Sequence, residues 1–484
     1  MIQLPEQARV HEFRVFLDAC GYNTEQLTQR IGRARPPATG EEQQMFDDSR
    51  EITVLNVLVR LVLLGAPVDK DTVTEFLPDL VVNFCNDVGL LHYDGDIVTG
   101  RVVIIPVEDL LFASDAFWTL GTNEARDFVL PASTHSANFL RYLTLRDHVD
   151  DTLDLGCGCG IHALFAARHS TRVTATDISP QAIAYTRFNA LLNDIHNVDC
   201  IEGSLFEPVA ERRFDLIVSN PPFVISPSET FAYRDNPLEL DEFCRILVGQ
   251  APRFLKEGAH LQMLCEWVEV EGESWVDRIS SWIAGCDAWV LHATPLSPAS
   301  YAQQRTSDLS GESVNAGSQQ EWLAYFDRHQ VRAVHPGMLV LRRNDAANWL
   351  HVHNLPADIT QPAGTAVARG IAAVDFLEAC DDEALLAATL RLADDLEAEQ
   401  TQSEDGAAGV RLRLDNGLST EADIDGSVAA FLNLFNGKRT VGESVGEFSR
   451  VADADVEQLT GDLLAIVRVF VSRGFLVPHE FEQE

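Results

Sequence analysis

Three short stretches of this chain hold residue types whose order suits chemistry on a nucleotide-like ligand. The first, Asp154-Leu-Gly156-Cys-Gly158-Cys-Gly160, lies between a β-prone run and a helical pattern over Ile161 to Arg168. Glycines at such a junction let the backbone turn sharply and approach a ligand, and the N–H groups of a helix start favour a negative group. The spacing is G-x-G-x-G, so Gly160 comes one residue early for a dinucleotide fingerprint. The second is Asp177, ending the next β-prone run, whose two carboxylate oxygens suit the paired hydroxyls of a ribose. The third is Asn220-Pro221-Pro222-Phe223, directly after the apolar run Phe214 to Ser219. Consecutive prolines cannot continue a ladder and hold the chain extended, which presents Asn220 at the C-terminal edge of its strand. A glycine turn or a proline pair alone is an ordinary connection or strand terminator. At successive strand ends of an open α/β sheet, the three define one ligand-binding edge.

In this order the motifs resemble the class I S-adenosylmethionine-dependent methyltransferases, in the N-P-P-[FY] branch. That branch includes release-factor glutamine methyltransferases and small-domain rRNA guanine-N2 and adenine-N6 methyltransferases. The resemblance covers roughly Leu130 to Arg343 and implies S-adenosyl-L-methionine as the cofactor. It places Asp154, Gly156, Gly158 and Gly160 around the methionine part, Asp177 on the ribose and Ile178 against adenine. Ser204 and Leu205 stand where family members often have an acidic residue beside the adenine amino group. Asn220, Pro221 and Phe223 match the acceptor motif, Asn220 also bordering the cofactor. Pro222, with Tyr233 and Arg234 in the loop Phe231 to Asp235, completes the expected substrate contacts. The Asn220 side-chain oxygen and the Pro221 carbonyl would each accept an N–H from a flat NH₂ group stacked on Phe223. Neutral acceptors suffice for this, so no catalytic histidine is assigned, and His135, His162 and His335 are read as packing or surface groups.

Positioning these motifs calls for a parallel sheet with helices on both faces. Seven strands are expected: Thr152 to Leu155, Arg172 to Asp177, Asp199 to Glu202, Phe214 to Ser219, His260 to Trp267, Trp289 to Ala293 and Met338 to Arg342. The expected class is a seven-stranded, doubly wound, Rossmann-like α/β domain over residues 111–355. Residues 1–110 read as a mainly helical, winged-helix-like domain, with helices near Glu6 to Ala19, Arg50 to Leu64 and Asp71 to Val88, and a hairpin at Asp94-Gly95. Residues 365–484 read as an acidic, mainly helical domain, winged-helix-like again. A flexible linker is expected within Ala393 to Gly426, around Ser403 to Gly406. The last part reads helix, Asn436-Gly437 turn, helix, then a long helix to Arg473 stopped by Gly474. Gln303 to Gln320 reads as a mobile loop before a helix over Glu321 to His329.

Composition narrows the partners. In 484 residues, 36 Lys and Arg face 74 Asp and Glu, a formal charge of −38, and the only lysines are Lys70, Lys256 and Lys438. Such a molecule repels phosphate at long range. From Asp375 to Glu484 there are 24 acidic and 8 basic residues, a poor surface for nucleic acid. A protein or peptide acceptor, a glutamine side chain, is therefore slightly favoured. A nucleobase amino group of RNA or DNA stays open, since Asn-Pro-Pro-Phe does not separate flat NH₂ acceptors, as does a non-catalytic cofactor-binding scaffold. Nine cysteines without a C-x-x-C pair signal neither a disulfide framework nor a metal site. No secretory leader or spanning apolar run is evident, so a cytoplasmic protein without membrane contact is expected. The sequence sets no oligomeric state.

Overall fold

The apolar runs between residues 149 and 354 pair into one mixed sheet of eight strands in a computed structural model. It describes residues 2–37, 41–119, 127–227, 235–307, 316–355, 359, 361–402, 408–418 and 420–479. The strands are β1 Val149–Leu155, β2 Ser170–Asp177, β3 Val198–Glu202, β4 Phe214–Ser219, β5 Leu255–Val270, β6 Cys286–His292, β7 Val331–Arg343 and β8 Leu350–Asn354. Their spatial order is β8-β6-β7-β5-β4-β1-β2-β3. Strands β3, β2, β1, β4 and β5 run parallel, and β7 enters antiparallel between β5 and β6. The chain steps outward from β1 through β3 on one side and through β4 and β5 on the other, so a crevice opens between β1 and β4 at their C-terminal ends.

All seven expected strands are present. The additional strand, β8, pairs parallel to β6 from Ala288↔Leu350 to His292↔Asn354. Leu-His-Val-His-Asn lacks the apolar density of the other runs because an edge strand is covered on only one side.

Residues 1–141 and 147–354 form one compact unit, which departs from the expected division at residue 110. The helices Gln7–Ala19, Thr24–Ile31, Glu42–Asp48 and Val54–Val62 are followed by Lys70–Phe76 and Asp79–Val88. The single helix expected over Asp71 to Val88 is two, because Pro78 brings no N–H and Leu77 is extended. The expected hairpin pairs Leu91–Asp94 with Ile97–Gly100, turning at Gly95-Asp96, and Val68–Asp69 adds a third strand. A second ribbon, Val102–Val107 with Leu110–Asp115, straddles the expected boundary. It is almost wholly buried, and the Tyr22 hydroxyl donates to Ile104 O at 2.7 Å. A strand pair without a solvent-facing side cannot end one domain and begin another.

Of the stretch expected as a loop over Gln303 to Gln320, residues 303–307 and 316–320 are helical, and 308–315 lie outside the described residues. Helices Pro298–Ser307 and Ala316–Arg328 bury Tyr301, Trp322, Tyr325 and Phe326, and the second includes most of the expected Glu321 to His329. Their polar outer faces mask that aromatic face in the sequence.

The second unit contains Tyr142–Arg146 and residues 355–484. Alongside helices Gly364–Ala379, Asp382–Ala387, Gly426–Leu432, Val441–Val451 and Val456–Ser472 it has two three-stranded antiparallel sheets, so it is mixed and not mainly helical. One sheet, Leu396–Gln402, Ala408–Leu414 and Glu421–Asp425, occupies the expected linker, of which Ser403 to Gly406 lie outside the described residues. Arg411-Leu412-Arg413-Leu414 alternates with period two. Leu412 and Leu414 are buried, while Arg411 and Arg413 pair across strands with Asp423 and Glu397. Charge density conceals a strand here. Asn436-Gly437 opens the short strand Asn436–Thr440, and Gly474, at φ +79°, follows the last long helix as expected.

Candidate functional site

Register aligns the two motif-bearing strands. Thr152, Leu153 and Asp154 of β1 pair with Leu216, Ile217 and Val218 of β4, and the Ser219 hydroxyl donates to Leu155 O at 2.7 Å. The glycine loop and Asn220 thus leave the sheet side by side.

Asp154 is fully buried. Its Oδ2 accepts the Ala163 N–H at 2.8 Å, whereas Oδ1 is buried with no partner among the described residues. Burial pushes its carboxyl up to about 7, with the nearby Asp177 charge adding to the rise. Gly156, Gly158 and Gly160 have φ of +79°, +55° and +82°, the left-handed region that side chains resist. A Cβ on Gly160 would lie 2.8 Å from Thr186 Cγ2, so the fold's own packing requires that glycine. A Cβ on Gly156 or Gly158 would meet nothing within 4 Å. These two line an open cradle.

The loop is tied down from several directions. Gly156 N–H and Cys157 N–H donate to Thr176 O at 2.9 and 3.0 Å, and Gly158 N–H donates to Asp177 Oδ2 at 2.9 Å. The Thr186 hydroxyl donates to Gly158 O at 3.0 Å, and Asn189 Nδ2 to Cys159 O at 2.8 Å. Asp177 Oδ1 also accepts the Ser179 N–H at 2.9 Å. Burial raises the Asp177 carboxyl, while the amides of Ser179, Gly158 and Ile178 oppose the rise. Each carboxylate oxygen has a second lone pair, which leaves room for hydroxyl donors. Ile178, next in the chain, is 70% exposed, an apolar face on offer beside the acid. Beyond β3, Ser204 and Leu205 are half-buried, and Leu205 adopts φ +49°.

These features fit the cofactor implied by the resemblance. The cradle at Gly156 and Gly158, the unpartnered Asp154 Oδ1, the half-buried Asp177 and the exposed Ile178 occupy consecutive ends of β1 and β2, with Ser204 and Leu205 past the end of β3.

On the other side of the crevice, half-buried Asn220 donates from Nδ2 to Ser136 Oγ at 3.4 Å, and its Oδ1 accepts nothing from the described residues. Pro221 is buried, and Pro222 O accepts from Asn236 Nδ2 at 3.0 Å. Half-buried Phe223 packs against buried apolar clusters on β5 and the helix pair. Ile225 N–H donates to the Tyr301 hydroxyl at 3.1 Å, and Leu240 N–H to that of Tyr325 at 2.8 Å. Tyr301 in turn donates to Glu266, which also pairs with Arg305. Tyr233 and Arg234 lie outside the described residues.

His162 is buried, and desolvation holds its imidazole down at about 3. His335 stacks on Trp267 and Trp275, away from the motif residues in sequence but inside the aromatic packing of the sheet. Sequence reasoning missed Ser136, Thr186, Asn189 and Tyr301. For Asn189 a signal existed: Asn189 and Asn193 stand four apart, on one face of the helix Pro180–Leu192 and its C-cap.

Residues 134–266 match the family model described as the methyltransferase small domain. A release factor glutamine methyltransferase of Geobacter sulfurreducens is 34% identical over 167 residues, 30% of this chain and 58% of that protein. A namesake from Xylella fastidiosa is 32% identical over 186 residues, covering 35% of this chain and 67% of its own length. A ribosomal RNA small subunit methyltransferase C of Alcanivorax borkumensis is 29% identical over 125 residues, 26% of this chain and 34% of that protein. The matched segments thus span between about a third and two thirds of these relatives. The chain belongs to the class I S-adenosylmethionine-dependent methyltransferases, an enzyme family, in the branch shared by release-factor glutamine and small-domain rRNA methyltransferases.

Proposed function

We propose that this chain methylates a planar NH₂ nitrogen, with the glutamine side chain of a protein as the favoured acceptor. The observation that carries this reading is Asn220. Its Nδ2 donates to Ser136 and, among the described residues, its Oδ1 is left to accept, at a strand end bonded to the neck of the glycine loop. When bound, S-adenosylmethionine supplies a methyl group already activated on a sulfonium sulfur, so the protein's work is chiefly positioning. Asp154, Gly156, Gly158, Gly160, Asp177, Ile178, Ser204 and Leu205 hold the cofactor. Asn220 Oδ1 and Pro221 O each accept one N–H of the acceptor, and Phe223 stacks on its flat face. Holding both N–H bonds in plane turns the nitrogen lone pair toward the methyl carbon. Neutral acceptors at Asn220 and Pro221 suffice, because an acceptor nitrogen that gained a methyl group would release its proton to solvent, so no strong base is needed. Pro222, Tyr233 and Arg234 contact the rest of the substrate.

A protein acceptor is supported by the charge of −38 and by relatives named for glutamine methylation. A nucleobase amino group is the second reading, supported by the relative named as a ribosomal RNA methyltransferase. The helices and three-stranded sheet within residues 1–110 form a winged-helix-like module, and the setting is cytoplasmic.

The test is to label a lysate from cells lacking this protein with radioactive S-adenosylmethionine and the purified chain. Label in protease-sensitive material, located on glutamine, supports the first reading. RNase-sensitive label replaces it with the second. Cofactor binding with no acceptor labelled under any condition would leave a scaffold.

A further inference from the structure

A polar ladder joins the ribbon Val102–Asp115, which precedes the matched residues, to the glycine loop within them. Asn189 Oδ1 accepts the Ala113 N–H and its Nδ2 donates to Ala113 O, both at 2.8 Å. One turn on, Asn193 repeats the pattern with Leu111, accepting its N–H at 2.8 Å and donating to its O at 2.7 Å. Two side-chain amides four residues apart on a helix therefore close the edge of a strand at positions two apart, since both spacings are about 6–7 Å. Only Asn189 reaches the glycine loop, its Nδ2 also donating to Cys159 O at 2.8 Å; Asn193 instead accepts from Arg14 Nη1 at 2.7 Å and donates to Asn189 O at 2.8 Å. Asn189 is fully buried, so each of these bonds lacks competition from water.

We propose that the ribbon Val102–Asp115 is a component of the cofactor site, and that Asn189 is the positioning residue through which it fixes the glycine loop. The proposal rests on assigning that loop to S-adenosylmethionine and not on the nature of the acceptor. Asn189 touches no substrate; it holds the carbonyl between Gly158 and Gly160, and hence the backbone of the cradle. The coupling is reciprocal, so a cofactor that orders the loop must also tighten the ribbon.

Asn193 is the built-in control, because it makes the same ribbon pairing without reaching the loop. Binding of S-adenosylhomocysteine to the full-length chain, measured by calorimetry, separates the two. Asn189→Ala should weaken binding by about tenfold or more, whereas Asn193→Ala should change it by less than about twofold while also lowering the melting temperature. Should Asn189→Ala fail to fold, hydrogen exchange on the wild-type chain decides. Saturating S-adenosylhomocysteine should slow the Ala113 amide while leaving the distant hairpin amide of Tyr93 unchanged. Equal effects of the two substitutions on affinity, or protection at Gly158 without protection at Ala113, would overturn the inference alone. A wild-type chain that binds no S-adenosylhomocysteine would overturn it together with the cofactor assignment.

Discussion

The two sides of the crevice solve different problems. At the ends of β1 and β2, the loop's amides and carbonyls are occupied within the protein: Asp177, Thr176, Thr186 and Asn189 hold the turn from Gly156 to Cys159. At the end of β4 the backbone is fixed by two prolines and by Tyr301, but Asn220 Oδ1 is unengaged among the described residues. One side is a preformed cradle, fixed by the protein's own hydrogen bonds. The other is a rigid arm that leaves its acceptors open for N–H donors, an arrangement in which orientation costs little reorganisation.

The contrast breaks most visibly at Asn220. Asn220→Ala should lower turnover by about 10²–10³-fold, as expected for loss of one preorganised polar group, while calorimetric affinity for S-adenosylhomocysteine stays within about twofold. Unchanged turnover would remove Asn220 from the acceptor side. Asp177→Ala should do the reverse and weaken cofactor affinity first, by about tenfold to a hundredfold, since charge-assisted bonds to the Gly158 and Ser179 amides vanish with any bond to the ribose. A variant that binds S-adenosylhomocysteine as well as the wild type does would show that the cradle is not held from β2.

The glycines sharpen the comparison within the cradle itself. Gly160→Ala meets Thr186 as well as an unfavourable φ and should destabilise the fold by about 1–3 kcal/mol in denaturant melts. Gly158→Ala has open space, so its stability loss should be smaller, about 1 kcal/mol from backbone strain, with the larger penalty appearing in cofactor affinity. Equal losses of stability would contradict the division between packing glycine and ligand-facing glycine.

A separate effect concerns pH. The folded carboxyl of Asp154 titrates near 7 against an unfolded value of 3.8, so the folded state retains a proton that the unfolded state releases. Its contribution to stability is full below about pH 4 and declines as pH rises through about 7. Asp154→Asn should flatten this part of the stability profile relative to wild type, read as the difference between two series of melting temperatures. Parallel profiles would mean that the buried oxygen carries no proton at neutral pH.

Seven of the eight sheet strands and the three ligand-facing stretches were legible because strands covered on both faces are dense in apolar residues and because glycine and proline constrain the backbone wherever they fall. Where surface chemistry dominates, the pattern fades. Arg411 to Leu414 looked like part of a charged linker and is a strand; Gln303 to Ser307 looked like a loop and ends a helix whose Tyr301 is buried. The boundary expected at residue 110 failed for a related reason. Nothing in Val102 to Asp115 reveals that its backbone edge will be closed by asparagine side chains some eighty residues later.

Sequence by itself determined the chemical types at the crevice: three glycines in a turn, an acid one strand later, and an asparagine held by two prolines. Those follow from local backbone restriction, which neighbouring residues impose without help. Tertiary structure alone decided which glycine serves packing and which faces the cradle, that Asp154 is buried with one oxygen unpaired, and that Ser136 orients Asn220 while Asn189 secures the loop. Each of these depends on atoms brought together from distant parts of the chain, and only the packed sheet sets their distances.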